Sequence, residues 1–228
     1  THAFQQQFAQ RFRLLFQSRK NAIIANGVDL DKFQFRVKPP PVADQPLLIG
    51  MAARFSASKH HDLLLRVMQK LAVAGIVNVH LSLAGDGETL PLIQQAACER
   101  GLDSKVVFCG GLSEAELVAW YATLDIYVQA SAAETMCTAV LQALSCGVPI
   151  VASNIEGIND IIPAHLACLV DNSVGAFAEA LTQLSQDDAR RCAMAVQGRA
   201  FCVAHYSNKV SYEQYNALFE EIEESLRV

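Results

Sequence analysis

The feature that most constrains the fold is a sixfold alternation of short apolar runs with helix-like segments after residue 45. Strands that are apolar throughout are buried on both faces, which is typical of parallel sheets covered by helices. The alternation therefore predicts an α/β fold with a doubly wound, parallel, six-stranded Rossmann-like sheet. The predicted strands are 46–53, 78–85, 105–110, 124–131, 148–153 and 167–171. The predicted helices are 59–74, 87–100, 113–123, 135–146, 157–163, 174–185, 187–204 and 208–226.

A proline-rich connector, "KPPPVADQP" at residues 38–46, is the one break in composition along the chain. It predicts a boundary between residues 1–45, comprising a hinge helix, a short strand and the connector, and residues 46–228, comprising the sheet and its carboxyl-terminal helices. Because the chain begins with Thr1 and not with methionine, we expect it to be a fragment or a processed form.

Composition argues against several classes of function. The net charge is −5, so there is no basic excess with which to hold nucleic acid. The seven cysteines never form C-x-x-C, which favours reduced thiols of a cytoplasmic protein over a disulfide framework or a metal site. No apolar run reaches the roughly 20 residues of a membrane span, and no signal peptide is evident.

Ligands of a doubly wound sheet bind beyond the carboxyl ends of its strands. Arg54 and Lys59 follow the first predicted strand, where a guanidinium and an ammonium can neutralise a diphosphate. The alternative is a pair of solvated surface cations. We interpret the adjoining His60 and His61 as surface or helix-start residues, because the sequence offers no third ligand at metal spacing.

Glycines follow the second and third predicted strands. Gly85 and Gly87 allow a tight turn and a close backbone approach to a ligand, although the third glycine of a dinucleotide fingerprint is missing. Gly110 and Gly111 would let a flat base lie against the backbone near Val107. An ordinary turn explains either pair equally well.

Glu134 precedes the helix that is predicted to begin near Thr135. The first-turn N–H groups around Met136, Cys137 and Thr138 are expected to be unpaired and to form an anion or hydroxyl site. Glu134 could accept hydrogen bonds from hydroxyls there, or it could simply cap the helix.

A polar stripe runs along the same helix, at Thr138, Gln142 and Ser145. It indicates either a binding surface or a strip of solvent exposure. The eight residues from Glu134 to Gln142 span about 12 Å as a helix, which suits an elongated sugar nucleotide whose phosphates lie between the two. After the fifth strand, Gly157 is expected to open a short helix that contains Asp160.

Five segments in order resemble one family: "ANGVDLDKF" 25–33, "GMAARFSASK" 50–59, "LAGDGE" 83–88, "VVFCGGLSEAEL" 106–117 and "ETMCTAVLQALSCGVPIVAS" 134–153. Together they resemble the carboxyl-terminal, donor-binding half of group 1 retaining glycosyltransferases with the GT-B fold. The resemblance covers nearly the whole chain. It implies a two-domain enzyme that uses a nucleoside-diphosphate sugar as donor and needs no metal or other cofactor.

The resemblance also implies roles for particular residues. Arg54 and Lys59 match the pair that binds the donor diphosphate and stabilises the leaving group. Glu134 matches the first acid of the family's E-x7-E motif, which contacts the donor sugar. The remaining matched donor-binding positions are Gly85, Gly87, Val107, Met136, Cys137, Thr138 and Gln142. Three positions depart from the pattern, because Gln142 replaces the second acid, Thr135-Met136-Cys137 replaces Gly-Phe-Gly, and Asp160 replaces a longer acid.

These observations favour the donor half of a glycosyltransferase, and we expect it to act in cell-surface glycan or lipopolysaccharide synthesis on an unknown acceptor. We expect the isolated domain to be inactive without an amino-terminal half. The alternatives are a non-catalytic module that binds a nucleotide sugar or docks a partner, and an epimerase or phosphorylase on a related fold. Residues 1–20 carry phenylalanines at every fourth position and four basic residues. They indicate either packing against the domains or peripheral contact with the inner face of a membrane.

Overall fold

The computed structural model describes residues 22–36, 38 and 45–226. Six parallel strands form one sheet in the order β3-β2-β1-β4-β5-β6. The strands are β1 Leu47–Ala52, β2 Val79–Ala84, β3 Val106–Gly110, β4 Ile126–Gln129, β5 Ile150–Ser153 and β6 Ala167–Val170. This strand order is that of a doubly wound sheet, as the alternating pattern predicts.

Seven α-helices connect and follow the strands within the described residues. They are α1 His61–Val73, α2 Leu90–Glu99, α3 Glu114–Thr123, α4 Thr138–Ser145, α5 Val174–Ser185, α6 Asp188–His205 and α7 Asn208–Leu226. Helix α3 begins with a capping box, in which the Ser113 side chain accepts from the Glu116 N–H and the Glu116 carboxylate accepts from the Ser113 N–H.

Burial on both faces of the sheet explains why its strands are largely apolar. In β4, Ile126 and Val128 pack into a core shared with α1, α2 and α5. Tyr127, between them, packs on the opposite face into a second core shared with α3 and α4. All four residues of β4 are buried. A strand in the middle of the sheet is covered on both faces, which is why its sequence does not alternate between apolar and polar residues.

Two helix predictions differ from the structure. The segment 157–163 forms a succession of turns and not a helix, and Gly157, at its start, has a φ of +82°. The helix predicted from Thr135 begins at Thr138, because Cys137 has a non-helical backbone and its N–H donates to the Gly157 carbonyl. The loop after β4 is therefore longer than the sequence indicated.

Residues 22–36 pack against the body of the domain. Val28 and Phe33 are buried in the second core, and Val28 forms an isolated parallel bridge with Ser207 before α7. The predicted hinge helix at 1–20 and most of the connector lie outside the described residues, so the boundary at residue 45 stays a prediction.

No helix within the described part of the chain is long and apolar enough to cross a bilayer. All seven cysteines are free thiols, and Cys137, Cys146 and Cys202 are buried.

Candidate functional site

Lys59 and Glu134 meet at the carboxyl edge of the sheet. The Lys59 Nζ donates to Glu134 Oε1 at 2.5 Å, and the two side chains are 20% and 9% exposed. Lys59 ends a short 3-10 turn after β1, and Glu134 lies in the loop after β4. The two loops are joined directly, because the Ala132 N–H donates to the Ser58 carbonyl at 2.8 Å. Two residues 75 positions apart in the sequence thus form one charged centre at the edge where ligands bind.

A buried polar network fixes the carboxylate of Glu134. Its Oε1 also accepts from Ser131 Oγ at 2.8 Å and from Gln129 Nε2 at 3.1 Å. Gln129 is 1% exposed, and its Oε1 in turn accepts from the Tyr127 hydroxyl at 2.6 Å. Sequence reasoning missed Gln129 and Ser131; the available signal was an amide inside a strand that is otherwise apolar. The network orients Glu134 through donors that the domain itself supplies.

Arg54 lies in a different environment from Lys59. Its side chain is 76% exposed and forms an ion pair at 3.3 Å with Glu88, which is itself 59% exposed. The structure therefore pairs the two predicted diphosphate-binding cations with different acids. An exposed side chain of this kind can turn toward a ligand at little energetic cost, since a surface ion pair contributes little to stability.

Gly85 and Gly87 make close backbone approaches, but to the loop after β1. Both have positive φ, and a Cβ at Gly85 would lie 2.0 Å from the Ala53 carbonyl oxygen. A Cβ at Gly87 would lie 2.3 Å from the carbonyl oxygen of Phe55. These glycines let the β2 loop pack against the loop that carries Arg54 and Lys59, and the predicted approach to a ligand stays a prediction.

The loop amides near Glu134 are engaged more than the sequence predicted. The Cys137 N–H donates to the Gly157 carbonyl at 3.3 Å, and the Thr138 N–H donates to the Met136 carbonyl at 3.0 Å. The prediction that these two N–H groups are unpaired is wrong, because the loop folds onto the turns that follow β5. Burial, together with the Glu134 carboxylate, raises the pKa of the Cys137 thiol to about 12. This thiol is therefore neutral at physiological pH and is not a reactive nucleophile.

Gly157 connects the loop after β5 to Glu134. Its φ is +82°, and a Cβ there would lie 2.3 Å from the Glu134 carbonyl oxygen. Asp160 was predicted to lie within a short helix. It lies within the turns, and its carboxylate accepts a hydrogen bond from the Gly157 N–H at 3.2 Å. The turns around Gly157 therefore pack directly against the backbone of Glu134.

The predicted polar stripe on α4 is only partly present. Ser145 is fully buried, and its hydroxyl donates to the Leu141 carbonyl at 2.9 Å, so it does not belong to a binding surface. Gln142 is half-buried, and its side-chain oxygen accepts from the Tyr121 hydroxyl at 3.3 Å. Thr138 is also half-buried. The side-chain oxygen of Gln142 is thus hydrogen-bonded to a buried residue of the core.

Val107 and Met136 are the two remaining predicted donor-binding positions. Val107 lies on β3, the outer strand of the sheet, and is 53% exposed. Met136 lines a cavity of about 390 Å³ together with Asp160, Tyr206 and the segment 23–25. A larger cavity of about 860 Å³ lies near the amino ends of β1 and β2, beside Gln45. That is the opposite edge from the one where ligands of such sheets bind, so the larger cavity is not the candidate site.

His61 is a helix-start residue, which is one of the two predicted alternatives, and it is not a surface residue. It opens α1 and is 2% exposed, and its ring stacks on Phe55 at 4.0 Å. Burial, with a smaller contribution from Lys59, lowers its pKa to about 4. Neither ring nitrogen has a hydrogen-bond partner within the described residues. His60 has a φ of +39°, and no other non-glycine residue described here has a positive φ.

The arrangement can bind hydroxyls and phosphates. A fixed carboxylate can accept hydrogen bonds from a sugar, and two cations lie in the loop after the neighbouring strand. No group of three histidine, cysteine or acidic side chains is placed to hold a metal ion within the described residues.

Comparison with known proteins identifies the family. Residues 32–201 match the model of the family described as glycosyl transferases group 1. A GDP-mannose-dependent phosphatidylinositol monomannoside mannosyltransferase of Mycolicibacterium smegmatis is 28% identical over 200 residues, which cover 79% of this chain and 51% of the relative. A lipopolysaccharide core biosynthesis glycosyltransferase of Rhizobium meliloti, LpsE, is 27% identical over 182 residues, which also cover 79% of this chain and 51% of the relative. The chain thus spans about half the length of these curated relatives.

Solved structures share the fold. The Anabaena protein HepE, solved with UDP and glucose, superposes with a TM-score of 0.77 at 17% identity, covering 88% of this chain and 57% of that protein. The carboxyl-terminal domain of the Francisella tularensis group 1 family protein LpcC superposes with a TM-score of 0.69 at 22% identity, covering 80% of this chain and all of that domain. These matches confirm the predicted fold, the Rossmann-like carboxyl-terminal half of a GT-B architecture.

Proposed function

Because this chain belongs to the group 1 glycosyltransferase family, we propose that it is the donor-binding half of a retaining glycosyltransferase. In this proposal the whole protein moves a sugar from a nucleoside-diphosphate sugar to an acceptor, with no metal or other cofactor. The acceptor would be bound by an amino-terminal half. The chain's span of about half the length of its relatives supports this division.

The Lys59–Glu134 pair is the observation that carries the proposal. Both charges lie in loops at the carboxyl edge of the sheet, and each side chain is at least four-fifths buried. Glu134 Oε1 also accepts from Ser131 and Gln129, and these hydrogen bonds help to offset the cost of burying the charge. The Lys59, Ser131 and Gln129 donors converge on one oxygen, Oε1, and the Cys137 thiol also interacts with the Glu134 carboxylate. A carboxylate held in this way can present its second oxygen to a sugar hydroxyl.

In the proposed mechanism the acceptor oxygen attacks the sugar on the face from which the diphosphate departs. Lys59, and Arg54 after release from Glu88, stabilise the charge that develops on the leaving diphosphate. Glu134 orients the donor sugar. Gln142 would contact the ribose through its NH2 group, because its oxygen already accepts from Tyr121.

The names of relatives support a nucleoside-diphosphate sugar as donor. The Mycolicibacterium relative is GDP-mannose-dependent, and HepE was solved with UDP-glucose as well as with UDP. The same names support a role in glycolipid, lipopolysaccharide or other cell-surface glycan synthesis. We accordingly propose a cytoplasmic protein that works at the inner face of the membrane.

Calorimetric titration of the 228-residue chain with UDP, GDP, ADP and their sugars tests the proposal. One nucleotide series should bind, and Lys59→Ala should weaken binding by about tenfold or more, as expected for loss of a charge-assisted hydrogen bond. Lys70→Ala is the matched control, because Lys70 is an exposed lysine on α1. Equal weakening by both variants, or wild-type affinity in Lys59→Ala, would contradict the role assigned to Lys59.

A non-catalytic binding module is the second candidate, and a specific observation favours it. The Cys137 and Thr138 N–H groups, expected to face the donor, are engaged within the domain. Such a module would bind the nucleotide sugar, but the full-length protein would show no Lys59-dependent transfer. A partner-docking module would bind no nucleotide at all in the titration.

A further inference from the structure

We propose that Asn172, in the loop after β6, is a positioning residue for the carboxylate of Glu134. Asn172 acts through Ser131, whose hydroxyl donates to Glu134 Oε1 at 2.8 Å. The two loops follow strands that are separated by β5 in the sheet. The effect on donor binding rests on the function proposed above, whereas the effect on the Lys59–Glu134 pair can be measured without any donor.

The backbone of Ser131 lies beyond the ladder that joins β4 to β5. The last pair of that ladder is Gln129 with Ala152, and Ser131 is fully buried. Its backbone groups therefore need partners other than a neighbouring strand or water. Two side chains supply them, since the Ser131 N–H donates to Ser153 Oγ at 2.9 Å and the Ser131 carbonyl accepts from Asn172 Nδ2 at 2.7 Å.

Asn172 joins these two partners to each other. Its Oδ1 accepts from Ser153 Oγ at 2.5 Å, so that Ser131, Ser153 and Asn172 close a ring of three hydrogen bonds. The orientation of the Asn172 amide follows from chemistry, because a backbone carbonyl can only accept and must face the NH2 group. The ring holds both backbone groups of Ser131 and thereby fixes where its hydroxyl meets Glu134.

The loop that carries Glu134 is held from two sides. On one side, the Ala132 N–H donates to the Ser58 carbonyl in the loop after β1. On the other side, the ring with Asn172 holds Ser131. The position of Glu134 relative to the loop after β1 therefore depends on both attachments.

Removal of the Asn172 amide would affect the two serines differently. Ser153 Oγ also lies 3.2 Å from the Gln129 carbonyl oxygen, to which its hydroxyl can donate instead. The buried Ser131 carbonyl would lose the donor that Asn172 supplies, and a buried acceptor left unpaired favours movement of the backbone toward a new partner. Asn172 itself is exposed, so its substitution leaves no cavity in the core and the variants should fold.

Asn172→Asp and Asn172→Ala test this role in the 228-residue chain without ligand. The first keeps an oxygen that accepts from Ser153 but places a second oxygen against the Ser131 carbonyl, and the second removes the amide without adding charge. Proton–nitrogen NMR of the Lys59 ammonium reports directly on Glu134, since Nζ and Oε1 are 2.5 Å apart. In both variants the ammonium hydrogens should exchange with water about tenfold faster, as expected when a hydrogen bond to a charged group is weakened.

Calorimetry then tests the consequence for the donor, with UDP against UDP-glucose and GDP against GDP-mannose as ligands. Both variants should bind the free nucleotide as the wild type does and the matching nucleotide sugar about tenfold more weakly. Asn159→Ala is the matched control, because Asn159 is also exposed and donates to a side chain, that of Asn154. It should change neither the exchange of the Lys59 ammonium nor the binding of any ligand.

Wild-type exchange of the Lys59 ammonium in both Asn172 variants would overturn the positioning role. Equal weakening of nucleotide and nucleotide sugar would also overturn it, because Asn172 would then support the whole edge of the sheet. If the wild-type chain binds none of these ligands, the proposed function fails, and the exchange of the Lys59 ammonium alone decides whether Asn172 positions Glu134.

Discussion

Glu134 Oε1 accepts hydrogen bonds from Lys59, Ser131 and Gln129, and Gln129 supplies its bond from the interior of the sheet. Gln129→Leu keeps the approximate size of the side chain and removes that donor. We expect unchanged binding of the free nucleotide and about tenfold weaker binding of the nucleotide sugar, because a hydrogen bond to a charged group contributes about 1.5–3 kcal/mol. Calorimetry with both ligands measures the difference.

The control for Gln129 is Gln95→Leu. Gln95 also donates to a carboxylate, that of Glu99, but on the exposed face of α2. That variant should bind both ligands as the wild type does. If Gln129→Leu weakens the free nucleotide and the nucleotide sugar equally, the residue supports the whole edge of the sheet and does not orient Glu134 in particular.

His61 should make stability depend on pH. Its pKa is about 4 in the folded protein, against about 6.5 when exposed, because burial disfavours the charged ring. The unfolded chain therefore binds a proton below pH 6.5 that the folded domain does not. The stability contributed by a neutral His61 is complete above pH 6.5 and is lost as pH falls toward 4, by about 2 kcal/mol at pH 5.

His61→Phe removes this dependence and keeps a ring against Phe55. Urea unfolding at pH 7 and pH 5 should show the variant gaining about 2 kcal/mol relative to the wild type over that interval. His165→Phe, at an exposed position, controls for the replacement of a histidine as such. A parallel fall in the free energy of unfolding of wild type and His61→Phe would show that other groups cause the acid sensitivity.

At the scale of elements, the turns around Gly157 determine where the loop of Glu134 lies. Gly157→Ala would add a Cβ 2.3 Å from the Glu134 carbonyl oxygen at a φ of +82°. Gly75 offers a matched control, since its φ is also +82° but no atom lies within 4 Å of the added Cβ. Gly75→Ala should lower the free energy of unfolding by only about 1–2 kcal/mol, the cost of a left-handed backbone at a residue with a Cβ.

We expect Gly157→Ala to destabilise the domain by more than Gly75→Ala and to weaken nucleotide-sugar binding by about tenfold. Unfolding midpoints and calorimetry measure the two effects separately. Equal destabilisation of the two variants, with donor affinity retained in both, would show that Glu134 does not depend on this contact.

The six strands and most helices were predictable because a sheet that is buried on both faces requires short, largely apolar strands, and these are visible in the sequence. Val28 and the turns of 157–163 were harder to predict, since their conformations depend on partners distant in sequence. The turns form because Gly157 has positive φ and its carbonyl accepts from Cys137. The segment "GINDIIP" at 157–163 carries no local sign of that contact.

The candidate site was predictable in part. Lys59 and Glu134 could be placed at one edge of the sheet by the rule that ligands bind at the ends of parallel strands. Their direct pairing could not, since it requires the loops after β1 and β4 to join through Ser58 and Ala132. The burial of Ser145 was missed because a helical stripe alone does not show which side faces solvent.

At the scale of the whole molecule, the carboxyl edge of this sheet forms one wall of the proposed site. Lys59 and Glu134 can hold a donor, but no described element stands opposite them to bind an acceptor or to exclude water. The curated relatives are about twice as long as the matched portion, which covers 51% of each. Donor binding and sugar transfer should therefore be separable properties of this protein.

We predict that the 228-residue chain binds a nucleotide sugar but turns it over below about 0.01 per second, against the 1 to 1000 per second typical of enzymes. The reason is that transition-state stabilisation requires an oriented acceptor and a site closed to water, which this wall alone does not provide. Release of free nucleotide from saturating donor measures both transfer and hydrolysis. A longer protein that includes the proposed amino-terminal half should show transfer that Lys59→Ala abolishes. Lys59-dependent turnover at an enzyme-like rate by the 228-residue chain would show that the donor half is catalytically complete.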